Sequence, residues 1–413
     1  MSKNYRYFLW HAFFLAIAIV FTEINTVIPS LILKAGGNEI LLGFLTSILV
    51  GFPFITKFFF AFFLHSRERK KPYLLMGINI RVISLFLVGF ITGNANNIDE
   101  TLLIVMIFIL MGFFSVGGAF AGISYVDLLG KTVAPARRRF TMSIKQFLNA
   151  IATLLFGFAA RYVLGHFNYP ENYSLMFFIA AGALLIASGG FWMIKEQKIP
   201  LKTEKLRIRD MFRVIKDLNK KDKNLFYYIL FLNLGAFSQT TIPFYLAFAK
   251  NSFGLSGTEI GNYMILQIIG MIVATPLWYL VSKSGGFKRV IRNCLLLAAI
   301  IPVYALIASN FGLTFYSMTF LFTGFILSAR KIAVEGLLIE ISEDHNRALY
   351  SGISGAFSIV SAVFPILSGI FISLLGYNII FVIVSLLILT GLIPLSKVTI
   401  QDPSKTLKKK TKH

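Results

Sequence analysis

The segment FTEINTVIPSLIL at residues 21–33 sets a carboxylate, Glu23, and two polar side chains, Asn25 and Thr26, inside an otherwise apolar run. A carboxylate in such a place can accept hydrogen bonds, pair with a cation, or take up and release a proton. Five basic residues also fall inside apolar runs: Lys57, Arg81, Lys145, Arg330 and Lys331. One acid against five bases, in a water-filled and weakly polarisable surrounding, makes a field suited to an anion. An organic carboxylate, a phosphorylated solute and an anionic headgroup all qualify. Lys57 and Lys145 equally suit snorkelling, with their ammonium groups at the edge of the apolar layer. A third set, Asp127 with Arg139 and Glu335 with Arg347, repeats one acid-to-base interval twice. The five histidines are scattered without metal-ligand spacing, and no G-x-x-x-x-G-K-[ST] loop or nucleophile–base arrangement occurs. No enzyme chemistry, metal or cofactor is therefore expected.

The elements that carry these groups follow from composition. Of 413 residues, 56% are hydrophobic, 43 are Phe and only 14% are charged, against about 25% charged in ordinary globular chains. Apolar stretches near the ~20 residues needed to cross a bilayer recur along the whole length. An all-α polytopic membrane protein follows, with spans over residues 7–33, 40–64, 73–93, 101–129, 140–164, 173–194, 225–249, 258–281, 289–308, 314–340, 349–375 and 378–396. The N-terminus runs directly into the first span, which predicts an uncleaved helix. The net charge of +22 sits in short segments between the runs, which excludes the one-faced basic patch of a nucleic-acid binder. The single cysteine, Cys294, can form no internal disulfide.

Alternate connections hold nearly all the loop Lys and Arg, among them HSRERKKP, KTVAPARRR and SKSGGFKR. The positive-inside rule then places both termini in the cytoplasm, as expected for a plasma membrane protein. Four regions result: a six-helix bundle over residues 1–194, a linker over 195–224, a second six-helix bundle over 225–396 and a basic tail over 397–413. In the linker, Met211, Phe212, Ile215 and Leu218 alternate with charged residues, as in an amphipathic helix lying on the inner membrane face. The tail, KTLKKKTKH, suits either contact with anionic lipid or a solvated topology signal.

The two bundles repeat. EINTVIPSL at 23–31 is echoed by FSQTTIPFY at 237–245, which aligns Asn25 with Gln239, Thr26 with Thr240 and Pro29 with Pro243. Gly43 and Gly261 open the second span of each half, and Lys71 and Arg289 follow them at equal intervals. Glu23 meets Phe237, so the carboxylate is the asymmetric member of a shared polar segment. Duplicated six-helix halves around a midplane site describe a transporter architecture, and here the chain resembles the major facilitator superfamily. The second-half loop PLWYLVSKSGGFKRV is similar to the family's G-x-x-x-D-R-x-G-R-R, with Lys283 where an Asp is usual. FAFFLHSRERKKPYLL keeps only the basic cluster, and DLLGKTVAPARRRF resembles the acidic–Pro–Arg turn. Phe113 stands where many drug antiporters carry Arg, and the fifth span lacks G-P-x-x-G-G.

The resemblance implies twelve helices in two pseudo-symmetric bundles and secondary active transport by alternating access. The two acid–base pairs are then expected to be cytoplasmic gate latches, with direct substrate contact as the alternative and an intrahelical Lys331–Glu335 pair as a further one for Glu335. Glu23, about 15 Å deep, is the candidate proton-coupling residue, with a static ion pair, Lys57 being the nearby base, or a water-satisfied carboxyl as the alternatives. Asn25, Thr26, Lys57, Arg81, Lys145, Gln239, Thr240, Arg330 and Lys331 are the candidate substrate contacts, Arg330 foremost among the deep cations. Thr26 and Thr240 are equally suited to satisfying a local helix break near the prolines. The expected function is a monomeric transporter of a small solute, leaning anionic, with protons as candidate driving ion. A lipid or lysophospholipid flippase, an efflux antiporter for drugs or metabolites, and a non-transporting sensor or scaffold are the competing readings.

Overall fold

The computed structural model describes residues 4–65, 67–133, 135–196, 223–342, 350, 353–355 and 357–399. The amphipathic segment of the linker, most of the basic tail and Arg347 lie outside the described residues. The backbones of Lys57 and Arg139 are helical, but their side chains lie outside the description.

The expected passes are mostly helix where the chain is described, with breaks that include residues 22–26, 241 and 357–358, as a bilayer requires of backbone groups that water cannot reach. Among the described residues, nine helices are long and apolar enough to cross a membrane. Two of these, Gly257–Phe311 and Ile353–Lys397, each comprise a pair of spans joined at a non-helical glycine, Gly286 or Gly376. Leu313–Ile341 forms the tenth span, its apolar character diluted by Arg330, Lys331, Glu335 and Glu340.

Span 1 departs from the expected single helix. It consists of Asn4–Phe21 and Val27–Lys34, separated by a break at residues 22–26. Span 7 is divided in the same register, into Lys223–Thr240 and Ile242–Phe253. Pro29 and Pro243 do not kink these helices from within. They lie in the first turn of the second segment, where a missing N–H costs nothing. The polar repeat thus encodes a helix start in each half.

The halves meet along two seams, span 2 against span 11 and span 5 against span 8. Gly43 and Gly261, matched in the repeat, sit one on each seam. A Cβ on Gly43 would collide with the carbonyl oxygen of Pro365, and one on Gly261 would lie 2.7 Å from Cγ of Arg161. Only hydrogen fits at such approaches. Gly43→Val is expected to force span 11 away and lower the melting temperature in detergent, at a cost of about 1–3 kcal/mol. Gly112→Ala, which meets nothing within 4 Å, should leave it unchanged; equal melting of the two variants would refute the seam.

At the face bearing the termini, Lys71 Nζ donates to the carbonyls of Trp192 and Ile194 at 2.8 and 2.7 Å, clamping span 3 to the end of span 6. In the second half Lys288 Nζ donates to the carbonyls of Ser396 and Val398 at 2.9 and 2.6 Å, clamping span 9 to span 12. The structural counterpart of Lys71 is therefore Lys288 rather than Arg289, a shift of one residue from the sequence register.

Candidate functional site

Glu23 organises the break in span 1. Its Oε2 accepts from the backbone N–H groups of Asn25 at 2.9 Å and Thr26 at 2.7 Å, and from the Thr26 hydroxyl at 2.8 Å. Its Oε1 accepts from Asn25 Nδ2 at 2.8 Å and from Gln267 Nε2 at 3.1 Å. One oxygen therefore caps the turn at residues 24–26 that leads into the helix Val27–Lys34, at the end where the helix dipole favours negative charge. The other reaches the second half of the molecule. Gln267, on span 8, is 2% exposed and its own Oε1 finds no hydrogen-bond partner among the described residues. The carboxylate joins a local cap to an interdomain tie. Its described partners are Asn25, Thr26 and Gln267.

Asn25 and Thr26, expected among the substrate contacts, are buried at 4% and 0% exposure and committed to Glu23. Thr240 donates to the Ala236 carbonyl at 2.9 Å, and the neighbouring Thr241 to that of Phe237 at 2.6 Å. These hydroxyls fold back onto the preceding turn, and the Phe237 carbonyl also accepts from the Thr241 N–H at 3.2 Å. Gln239 is half-buried beside them.

The cations divide by direction. Arg330 turns toward span 7 and donates to the Gly235 carbonyl at 2.8 Å. Its neighbour Lys331 turns the other way and lines a cleft of about 470 Å³ between the halves. Gln146, Asn149 and Thr153 of span 5 form one wall of that cleft. Thr275 of span 8 and Ser328 of span 10 form part of the other, their hydroxyls 2.8 Å apart. Lys145, one residue before Gln146, lies 3.0 Å from the Tyr125 hydroxyl and within electrostatic range of Lys331. Arg81 lies with its guanidinium carbon 4.3 Å from the centre of the Phe114 ring, and its Nε finds no hydrogen-bond partner among the described residues. Arg81 and Lys145 both lie within electrostatic range of His11.

The basic members of the expected latches, the Arg139 side chain and Arg347, lie outside the described residues. Asp127 is 2.7 Å from Lys131 on its own helix, and Lys131 is 3.7 Å from Glu196. Glu196 in turn accepts from the backbone N–H groups of Lys70 and Lys71, both at 2.8 Å. This network holds the end of the first bundle together. Lys331 and Glu335 satisfy helical spacing, but the ion pairs among the described residues do not include them.

Contacts between the halves gather at the face opposite the termini. Lys34 Nζ donates to the Leu255 carbonyl at 2.6 Å, and Lys250 Nζ to that of Leu33 at 2.9 Å. Glu39 accepts from Tyr377 at 2.9 Å and from Asn251 at 3.3 Å. The Gln146–Lys331 cleft lies on the terminal side of the Glu23–Gln267 tie. Sequence reasoning misses Gln267, Gln146, Asn149, Thr153, Thr275 and Ser328, although Gln146, Asn149 and Thr153 follow helical i, i+3, i+7 spacing on one face.

No curated protein matches the chain. Residues 227–413 match the sequence profile of the Major Facilitator Superfamily. Among solved structures, a point mutant of the nucleoside transporter NupG aligns with TM-score 0.69 and 15% identity over 96% of this chain and 100% of that one. A D-xylose–proton symporter gives 0.68 and 15% over 93% and 96%. A POT family transporter in complex with 5-aminolevulinic acid gives 0.70 and 10% over 95% and 96%. The second half of the chain thus matches the Major Facilitator Superfamily profile, and the whole chain shares the fold of these transporters.

Proposed function

We propose that the chain is a secondary active transporter of a small anionic solute, bound in the cleft between the halves and driven by protons through Glu23. The observation that carries this reading is the position of Lys331. It faces the cleft among amides and hydroxyls, with Lys145 nearby and no acid among the lining residues. An ammonium group in such surroundings attracts an anion, which Gln146 and Asn149 can orient by donating their amide N–H groups. Glu23 connects span 1 to span 8, the same helix that carries Thr275 of the cleft wall. A proton taken up there acts on the contact between the halves.

The distribution of basic residues supports cytoplasmic termini. In that orientation the Lys34, Lys250 and Glu39 contacts close the outer end, and the cleft faces inward. Purified protein in liposomes, screened against anionic, neutral and cationic solutes with and without an imposed pH gradient, tests the reading. Saturable uptake of an anion, accelerated by the gradient, is expected. Selective uptake of a neutral or cationic solute, or movement of fluorescent lipid in its place, would overturn it.

A further inference from the structure

The clamp formed by Lys288 is shared by both halves, but its surroundings are not. Aligning Lys288 with Lys71 sets Arg289 against Pro72 and Arg292 against Leu75. The first half thus makes the same clamp without either arginine, so joining the helices does not require them. In the second half Lys288, Arg289 and Arg292 line a 410 Å³ cleft between the start of span 9 and the end of span 12. Its remaining wall includes Leu296, Leu392 and Leu395. Lys288 and Arg289 are held in place, the first by the Ser396 and Val398 carbonyls and the second by the Ser284 carbonyl and hydroxyl, both at 3.2 Å. Arg292 is exposed one turn deeper along span 9.

We propose that this cleft binds the phosphodiester of an anionic phospholipid. Arg289 and Arg292 contribute paired N–H donors of the kind that match phosphate oxygens, and Lys288 adds a fixed charge at the base. The apolar wall selects a lipid over a soluble phosphate. Leu296 is 42% exposed, and Ile300 and Ile393 continue its apolar surface into the membrane at 60% and 61%. A headgroup held by the arginines therefore lays its acyl chains along spans 9 and 12. The site lies away from the Lys331 cleft and stands independently of the transported solute.

Native mass spectrometry of the full-length chain in neutral detergent tests the proposal, with phosphatidylglycerol and phosphatidylcholine titrated separately. The chain is expected to retain one phosphatidylglycerol preferentially. Arg289→Gln combined with Arg292→Gln should weaken that first binding step at least fivefold. Arg292→Gln alone, which removes an exposed side chain, should weaken it measurably and keeps the test open if the double variant folds poorly. Lys283→Gln, outside the cleft, should stay within about twofold and so separates the site from general attraction to a basic protein. Unchanged phosphatidylglycerol binding in the arginine variants, equal retention of phosphatidylcholine, or displacement by millimolar inorganic phosphate would each overturn the assignment.

Discussion

Glu23→Ala is expected to yield little folded protein and no transport. The substitution removes the acceptor for two backbone N–H groups, one hydroxyl and two side-chain amides at once. Each buried donor left unpaired costs about 1–3 kcal/mol, and the turn that leads into the helix Val27–Lys34 loses its cap. Glu23→Gln should behave differently. Its remaining carbonyl oxygen can keep the cap, while rotation of the Gln267 and Asn25 amides presents their carbonyl oxygens to the new NH₂. The interdomain tie survives in a form resembling the protonated acid. Glu23→Gln is therefore expected to fold and melt near the parent while losing acceleration of uptake by an imposed proton gradient. Gln267→Leu should keep the cap, break the tie, and alter the gradient response with smaller loss of stability. Retention of the full gradient response by Glu23→Gln would remove Glu23 from the coupling step.

The spans and the two halves are readable because membrane burial imposes a long apolar period, and duplication preserves EINTVIPSL and FSQTTIPFY in register. The same repeat points to both helix breaks but not to their cause. Proline suggests a freed carbonyl, whereas in span 1 the break is organised by Glu23 receiving donors from the residues that follow it. Its interdomain partner is not readable, since Gln267 stands 244 positions away. Lys71 and Lys288 show a subtler limit. Matching intervals favours Arg289, but the carbonyls on spans 6 and 12 fix the equivalence one residue earlier. Adjacent cations can be ranked from sequence by depth, and depth does not determine azimuth. Successive helical residues differ by about 100° around the axis, which sends Arg330 to the span 7 backbone and Lys331 to the cleft.

That divergence leads to opposite expected phenotypes for two neighbouring residues. Lys331→Gln retains a polar, extended side chain in the cleft and removes the charge. A charge-assisted hydrogen bond contributes about 1.5–3 kcal/mol, so the KM for the anionic solute should rise roughly ten- to a hundredfold. Melting temperature should change little, because Lys331 is exposed to the cleft. Lys331→Glu should abolish measurable uptake by reversing the local field. Arg330→Gln, by contrast, leaves the Gly235 carbonyl without its guanidinium donor and should lower stability while leaving the KM of the remaining folded protein near that of the parent. Liposome uptake over a range of solute concentrations, paired with thermal melting of each variant, separates these effects. If Arg330→Gln raises KM and Lys331→Gln does not, the anion binds on the span 7 side of the helix, and the Gln146–Lys331 cleft is not its site.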